Sequence, residues 1–567
     1  MTKSKKGIGS SDGIAVGKIY LLEKEEVEVT SEKITEEAKE KELKRVSEAF
    51  ESYTRDLENS NVDSEIQKEV ITAHLSMLED PFLTESVENK ITGENQNAEY
   101  ALKTSVDEMA AMMESLDDPY LKERAADYKD IGEGLLYKLA GKEKADLSNL
   151  PKNTILVAKE LTPSDTSNMD KDSVIGFAMD LGGKTAHVSI IAQTLGIPAL
   201  VGMKDISKNV QTGQDAIIDA FEDKMILDPD ESEKNEYLER SKRIQEEKDR
   251  LDKGKFDKAV TLDGHTVEVV TNIGNMEDLS LGLSQGAEGV GLFRTEFLYM
   301  ENDHFPTEEE QFNVYKEAAE ALKDKPLIIR TLDIGGDKSL SYFDFPEEEN
   351  PFLGWRALRI CFDKLEIFKA QLRAILRASF YGNVKILLPM VISVEEVKKV
   401  NSYLEELKSE LDIEGLEYNK NIEVGIMVET PASALIAGDL IKYVDYFSIG
   451  TNDLTQYVLA ADRGNEKVSN LYNTYNPAVL KAIKMVIDAS HKAGKWTGMC
   501  GGFAGDTKAT KLLLGMGLDE FSAPASSIPK IKETIKNITL EEAKIFAEEI
   551  MKIETTGEIE GRIKEEM

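Results

Sequence analysis

The sequence predicts a multidomain α/β protein: a mixed α/β unit interrupted by an α-helical insert, a charged helical linker, and a C-terminal (β/α)8 TIM-like barrel. Three observations carry this prediction. Eight short apolar, β-rich runs recur between residues 267 and 523 and alternate with helical segments. That matches the length and period of a (β/α)8 barrel better than an open doubly wound sheet. From about residue 31 to 143 the apolar side chains recur at helical spacing among Glu and Lys. Residues 230 to 258 are almost solidly charged, as expected of a solvated connecting helix.

Taken in order, Gly13 to Leu22 (GIAVGKIYLL) alternates and is β-rich, and is expected to form an opening strand pair. Val46, Phe50, Tyr53 and Leu57 then fall on one helical face, as do Ile66, Val70, His74 and Met77. At Pro151 the texture returns to short apolar runs, Thr154 to Ala158, Val174 to Met179 and Ala216 to Ile218, separated by Gly, Pro and Asp. Residues 1–30 and 146–229 are therefore expected to make one α/β domain, with 31–145 as its helical insert, 230–258 as the linker and 259–567 as the barrel. The expected barrel strands are Val267 to Asn272, Gly289 to Arg294, Leu327 to Leu332, Lys385 to Met390, Glu423 to Glu429, Tyr446 to Gly450, Thr497 to Cys500 and Glu520 to Ala523.

Composition excludes several classes. With 106 Asp and Glu against 69 Lys and Arg, the formal charge of −37 repels nucleic-acid phosphates and anionic membrane surfaces alike. The two cysteines, Cys361 and Cys500, offer neither a disulfide framework nor a zinc pattern. Lys3, Lys5 and Lys6 precede Gly, Ser and Asp rather than an apolar core, so no signal peptide is expected. The longest apolar stretch, Val384 to Val394, contains Lys385 and Pro389 and is too short to span a bilayer. A cytoplasmic protein that inserts into no membrane is expected. Of the 69 basic residues only 14 are Arg, so a retained Arg points to a need for a planar, bidentate donor.

In a (β/α)8 barrel the residues closing the strands face the catalytic rim. Arg294, Arg330, Glu429 and Cys500 close four of the runs, and Thr451, Asn452 and Asp453 follow a fifth. Arg356 and Arg463 lie in loops on the same side. An Arg cluster suits a small polyanion, and Glu429 with Asp453 supplies hard oxygens suited to Mg²⁺. A strand-end Cys500 could deliver a proton, whereas a single Arg alone reads equally as an ion pair and a lone Cys more often as a small buried hydrophobe. Cys361, in an amphipathic helical pattern, keeps the latter reading. In the first domain, Gly182 and Gly183 precede His187 at the start of the helical segment HVSIIAQTL, where helix N–H groups favour an anion and a neutral imidazole could attack phosphorus.

These residues resemble enzyme I of the bacterial sugar phosphotransferase system, the phosphoenolpyruvate-protein phosphotransferase family. The resemblance runs through GGKTAHVSI, VGLFRTEFLYM, RTLDIGGDK, ENPFLGWRALRI, GIMVETP, FSIGTNDLTQYVLAADRGN and GMCGG, and covers essentially the whole chain. It implies that the first domain is a swivelling phosphohistidine domain and that His187 is phosphorylated. It also implies that Arg294, Arg330, Asn452 and Arg463 hold phosphoenolpyruvate, with Arg356 and Asp453 in contact with it. Glu429 and Asp453 would bind Mg²⁺, and Cys500 would protonate the enolate to pyruvate. The insert is implied to dock the carrier protein HPr, with His74, Met77 and Leu78 as its face, and the barrel to form a homodimer.

Ala186 stands where the family commonly has Ser, Gln193 where it has Arg, and Gly502 with Phe503 where it has Glu-Leu. An active enzyme with altered phosphohistidine stability is expected. Two other readings compete: a nucleotide-dependent phosphoenolpyruvate/pyruvate relative, for which no Gly-rich phosphate loop is present in the insert, and a noncatalytic phosphoenolpyruvate sensor.

Overall fold

The computed structural model describes residues 3–23, 27–58, 65–115, 119–142, 147, 149–162, 165–166, 169, 173–183, 189, 191–193, 196–300, 302–336, 338, 340–465 and 467–566. The chain divides into two compact units, Met1–Glu246 and Glu247–Met567.

The first unit holds an eight-stranded mixed sheet. Its strands are β1 (Lys3–Lys6), β2 (Ile8–Ser11), β3 (Ile14–Leu22), β4 (Thr154–Ala158), β5 (Val174–Met179), β6 (Ala199–Val201), β7 (Asp215–Asp219) and β8 (Lys224–Leu227), in spatial order β1-β8-β7-β3-β4-β5-β6-β2. Strands β3, β4, β5 and β6 are parallel, and antiparallel partners flank them on both sides. Gly13 to Leu22 is thus one strand, not the expected pair: Gly17 is pressed against the Asn153 carbonyl without turning the chain.

The connection from β3 to its parallel neighbour β4 contains five helices, α1 (Lys39–Glu58), α2 (Glu65–Leu78), α3 (Pro81–Glu94), α4 (Ala98–Glu114) and α5 (Pro119–Leu139). Their facing stripes bury Val46, Tyr53, Leu57, Leu83, Val87 and Ile91 in a core separate from that of the sheet. Asp80 and Asn97 cap α3 and α4 through their side-chain oxygens.

Helix α6 (Glu231–Gly254) buries none of its own residues. Its first half is tied to the sheet by Arg240 on buried Asp219 at 2.6 Å and Lys234 on Asp215 at 3.0 Å, and Tyr237 and Ile244 pack against Ile14, Ile217 and Ile226. Its end is tied to the helix Ile528–Lys536 by Lys530 on Glu247 and Arg250 on Glu533. Lys532, 1% exposed, donates to the carbonyls of Lys255, Asp257 and Gly286 at 3.1, 2.9 and 2.7 Å.

The second unit is a closed parallel barrel of β9 (Glu268–Ile273), β10 (Val290–Arg294), β11 (Pro326–Arg330), β12 (Asn383–Leu388), β13 (Val424–Val428), β14 (Tyr446–Gly450), β15 (Thr497–Cys500) and β16 (Glu520–Ala523), with β16 returning to β9. These are the eight expected runs within a residue or two. The barrel is lined by Leu292, Ile328, Leu387, Met427, Tyr446 and Cys500. The opposite faces of the strands pack on the helices in the main core. At the lower end Tyr446 and Trp496 stack 4.4 Å apart. Among the described residues no helix is long and apolar enough to cross a membrane.

Candidate active site at the strand ends of the barrel

A cavity of about 350 Å³ opens where the barrel strands end. Arg294 and Arg330 are the last residues of β10 and β11, Glu429 follows β13, Asn452 and Asp453 occupy the first turn of the helix Thr451–Leu459, and Cys500 ends β15. Together with Arg356 and Arg463, eight of the nine strand-end and loop residues expected at this rim line the same cavity, while Thr451 donates its hydroxyl to the Cys500 carbonyl at 3.2 Å. They converge because parallel barrel strands present their C-terminal ends on one face.

The cations fall into two groups. Arg356, 2% exposed, has an acceptor for each of its five N–H groups: Nε and Nη2 donate to Asp333 at 2.9 and 3.2 Å, Nη1 and Nη2 to Asp453 at 3.3 and 3.1 Å, and Nη1 also to the Tyr457 hydroxyl at 3.3 Å. Its fork is saturated by these partners and holds two carboxylates in place at the rim where a phosphate contact is expected. Tyr457 in turn donates to the Phe352 carbonyl, tying the preceding loop to the site. By contrast, partly exposed Arg294 has no hydrogen-bond or ion-pair partner among the described residues. Arg330 donates to Glu296 at 2.5 Å and pairs with Asp333 at 3.0 Å, but its buried Nε has no partner. Arg463 is exposed at the mouth.

Glu296, Asp333 and Lys338 were not singled out from the sequence, yet they organise the site. Lys338 lies 2.6 Å from Glu296 and 3.3 Å from Asp333. Burial alone would raise both carboxyls, but Arg330 with Lys338, and for Asp333 also Arg356, hold them below the usual carboxylate range. A carboxylate two or three residues beyond a strand-end Arg was the available signal, in Arg294-Thr-Glu296 and Arg330-Thr-Leu-Asp333.

Glu429, 1% exposed, accepts from the Met390 N–H at 2.7 Å, an approach made by the left-handed Met390 backbone at φ 56°. Burial, then the nearby Asp453 and Asp333 charges, push its carboxyl up to about 8. When ionised, a buried carboxylate flanked by two others needs a compensating positive charge, so Glu429 and Asp453 fit a hard divalent ion. Asn452 accepts from the Gly502 N–H through its side-chain oxygen at 3.0 Å, leaving its amide hydrogens for the cavity. Burial pushes the Cys500 thiol up to about 11, so it is a protonated acid at neutral pH. Cys361 is buried in the main core, and burial raises its thiol as well.

In the first unit, His187, Lys184 and Ala186 lie outside the described residues. Around them, Ser189 donates to the Gly183 carbonyl at 2.9 Å, and Gln193 donates its side-chain amide to the Ser10 carbonyl at 2.6 Å. His74, Met77 and Leu78 are 1%, 9% and 7% exposed within the helical core, so the expected docking face is corrected: these side chains pack inward. Phe82, a few residues on, is 59% exposed.

Comparison with known proteins agrees with this architecture. Residues 6–124 match the family model of the N-terminal domain of PEP-utilising enzymes, 150–223 that of their mobile domain, and 248–540 that of their PEP-binding domain. Phosphoenolpyruvate-protein phosphotransferases of Haemophilus influenzae and Bacillus subtilis are 46% and 45% identical over 564 and 565 residues. The alignments span 99% of this chain in both cases, and 98% and 99% of the relatives. That of Staphylococcus carnosus is 43% identical over 570 residues, 100% of this chain and 99% of the relative. The chain is thus a member of the phosphoenolpyruvate-protein phosphotransferase family.

Proposed function

We propose that the chain takes the phosphoryl group of phosphoenolpyruvate onto its own His187, releases pyruvate, and passes the group to a histidine of HPr as the first step of the sugar phosphotransferase system. The observation that supports this most directly is the pair Arg294, which has no hydrogen-bond or ion-pair partner among the described residues, and Arg330, whose buried Nε has none among them, in a cavity that also holds two carboxylates, an amide and a protonated thiol. Phosphoryl transfer is mostly positioning and neutralisation of charge, and such donors suit the phosphate and carboxylate of the substrate. Arg463 and Asn452 close the mouth around the same anion. Glu429 and Asp453 would hold Mg²⁺, which when bound neutralises phosphate charge.

As the P–O bond breaks and phosphorus bonds to the His187 ring, an enolate remains in the cavity. Cys500 then gives its proton to the methylene carbon, which yields pyruvate. Because the phosphohistidine must be presented both to this cavity and to HPr, the reading includes movement of the His187 domain, with α6 as the connection. HPr would dock on the insert through exposed side chains such as Phe82. A homodimer in the cytoplasm belongs to the same reading. The test is incubation of the full chain with labelled phosphoenolpyruvate and Mg²⁺. The expected label is acid-labile and base-stable, is absent in His187→Ala, moves to added HPr, and forms without ATP, AMP or inorganic phosphate. A label that persists in His187→Ala, or pyruvate release that requires a nucleotide, would refute it.

A further inference from the structure

Cys500 must survive the loss of its proton. In the proposed reaction the S–H bond breaks, the hydrogen joins the enolate methylene carbon, the enolate oxygen becomes a ketone, and a thiolate is left until water returns a proton. That thiolate would form against an apolar wall, since Leu292, Ile328, Leu387, Met427 and Tyr446 surround Cys500 inside the barrel. An uncompensated anion in such a layer is strongly disfavoured.

A polar side chain lies beside the sulfur in this layer. Ser448, 0% exposed on β14, stands beside β15 opposite Gly498, two residues before Gly450 pairs with Cys500. Its hydroxyl donates to Cys500 Sγ at 3.6 Å. This is a weak hydrogen bond while the sulfur is a thiol, because neutral sulfur is a poor acceptor. It strengthens as negative charge gathers on sulfur, since charge-assisted bonds are roughly twice as strong. An interaction that grows along the reaction coordinate accelerates the step, whereas one of constant strength does not. Burial holds the thiol protonated, and the Ser448 hydroxyl and Arg330 oppose that effect.

We propose that Ser448 is a positioning residue for the proton-transfer step, stabilising the Cys500 thiolate left when the enolate is protonated. The inference rests on Cys500 acting as the acid. It is tested in the full chain by following the exchange of pyruvate methyl hydrogens in D2O with Mg²⁺ by proton NMR, which reads the reverse of this step without His187 phosphorylation. The pH profile of Cys500 alkylation by iodoacetamide, mapped by mass spectrometry, is the second readout, and one that a merely structural defect would not shift. Ser448→Ala is expected to slow exchange about tenfold or more, the scale of a hydrogen bond to a charged group, and to move the alkylation profile to higher pH. Folding of the variant is checked by its retained transfer of label from phosphoenolpyruvate to His187. Wild-type exchange and an unmoved profile in Ser448→Ala, with exchange abolished in Cys500→Ala, would overturn the inference and leave the acid assignment standing. Wild-type exchange in Cys500→Ala would overturn both.

Discussion

Asp333 is the best place to test the account of the site, because its role is read from geometry alone. It is fully buried and faces three cations: Arg356 at 2.9 and 3.2 Å, Arg330 at 3.0 Å and Lys338 at 3.3 Å. Asp333→Asn keeps the shape, removes the charge, and turns an amide NH2 toward a donor. Removing one partner of a buried ion pair costs about 3–5 kcal/mol. The isosteric amide still accepts from one cation, so the lower end, about 3 kcal/mol, is expected. With a few degrees of Tm per kcal/mol for a unit of this size, that is a fall of about 6–10 °C. Both tryptophans, Trp355 and Trp496, belong to the barrel unit, so fluorescence during urea unfolding reports this transition.

The pH dependence supplies a second constraint on the same variant. The Asp333 carboxyl is lowered in the folded protein by Arg330, Arg356 and Lys338 against the opposing effect of burial. Its charge therefore contributes stability above its unfolded pKa of about 3.9, and that contribution is lost as pH falls toward the folded value. The gap between wild type and Asp333→Asn should be full at about pH 5 and above and narrow below about pH 4. A variant within about 1 kcal/mol of wild type at neutral pH, or a gap that persists undiminished in acid, would refute the claim that this carboxylate is the electrostatic centre of the cluster.

Four further outcomes follow from the same structure. In Gly450→Ala the new Cβ would sit 2.8 Å from Glu429 Oε2 and 2.9 Å from its Cβ, so Mn²⁺ affinity by calorimetry should fall about tenfold, as for disturbed ligand support. Lys532→Met should destabilise the barrel unit by about 2–4 kcal/mol in urea, because three backbone carbonyls lose their donor. Gln193→Arg should change the rate of phosphohistidine hydrolysis, since the Gln193 amide now donates to Ser10; indistinguishable rates would remove the basis for expecting altered stability. Phe82→Ala should raise the KM for HPr about tenfold while self-phosphorylation is unchanged, the pattern of a lost exposed aromatic anchor.

The barrel was legible because its strands are buried over most of their length and so appear as short apolar runs. Four strands of the mixed sheet escaped notice, β1, β2, β6 and β8, and the first two are its edges. Lys3–Lys6 pairs with Lys224–Leu227 from the far end of the unit, so register comes from a partner more than 200 residues away, while its lysines suit an exposed edge. Helical periodicity likewise placed Met77 and His74 on an apolar stripe, but a stripe alone does not say whether it meets its own bundle or another protein. Here the bundle covers it.

The arginines show most sharply what residue type can and cannot convey. Scarcity marked Arg294, Arg330, Arg356 and Arg463 as significant, and all four reach the cavity. Scarcity could not divide them, because the division depends on which donors are already matched. Arg356 faces two carboxylates and a hydroxyl and has no hydrogen left to offer, whereas among the described residues Arg294 has no hydrogen-bond or ion-pair partner and Arg330 keeps its Nε unmatched. An incoming phosphate gains most from donors that are already desolvated yet unpaired, since no existing bond must be broken to reach them. Binding energy at this rim should therefore concentrate on Arg294 and Arg330, and Arg356 should act through the two aspartates it fixes.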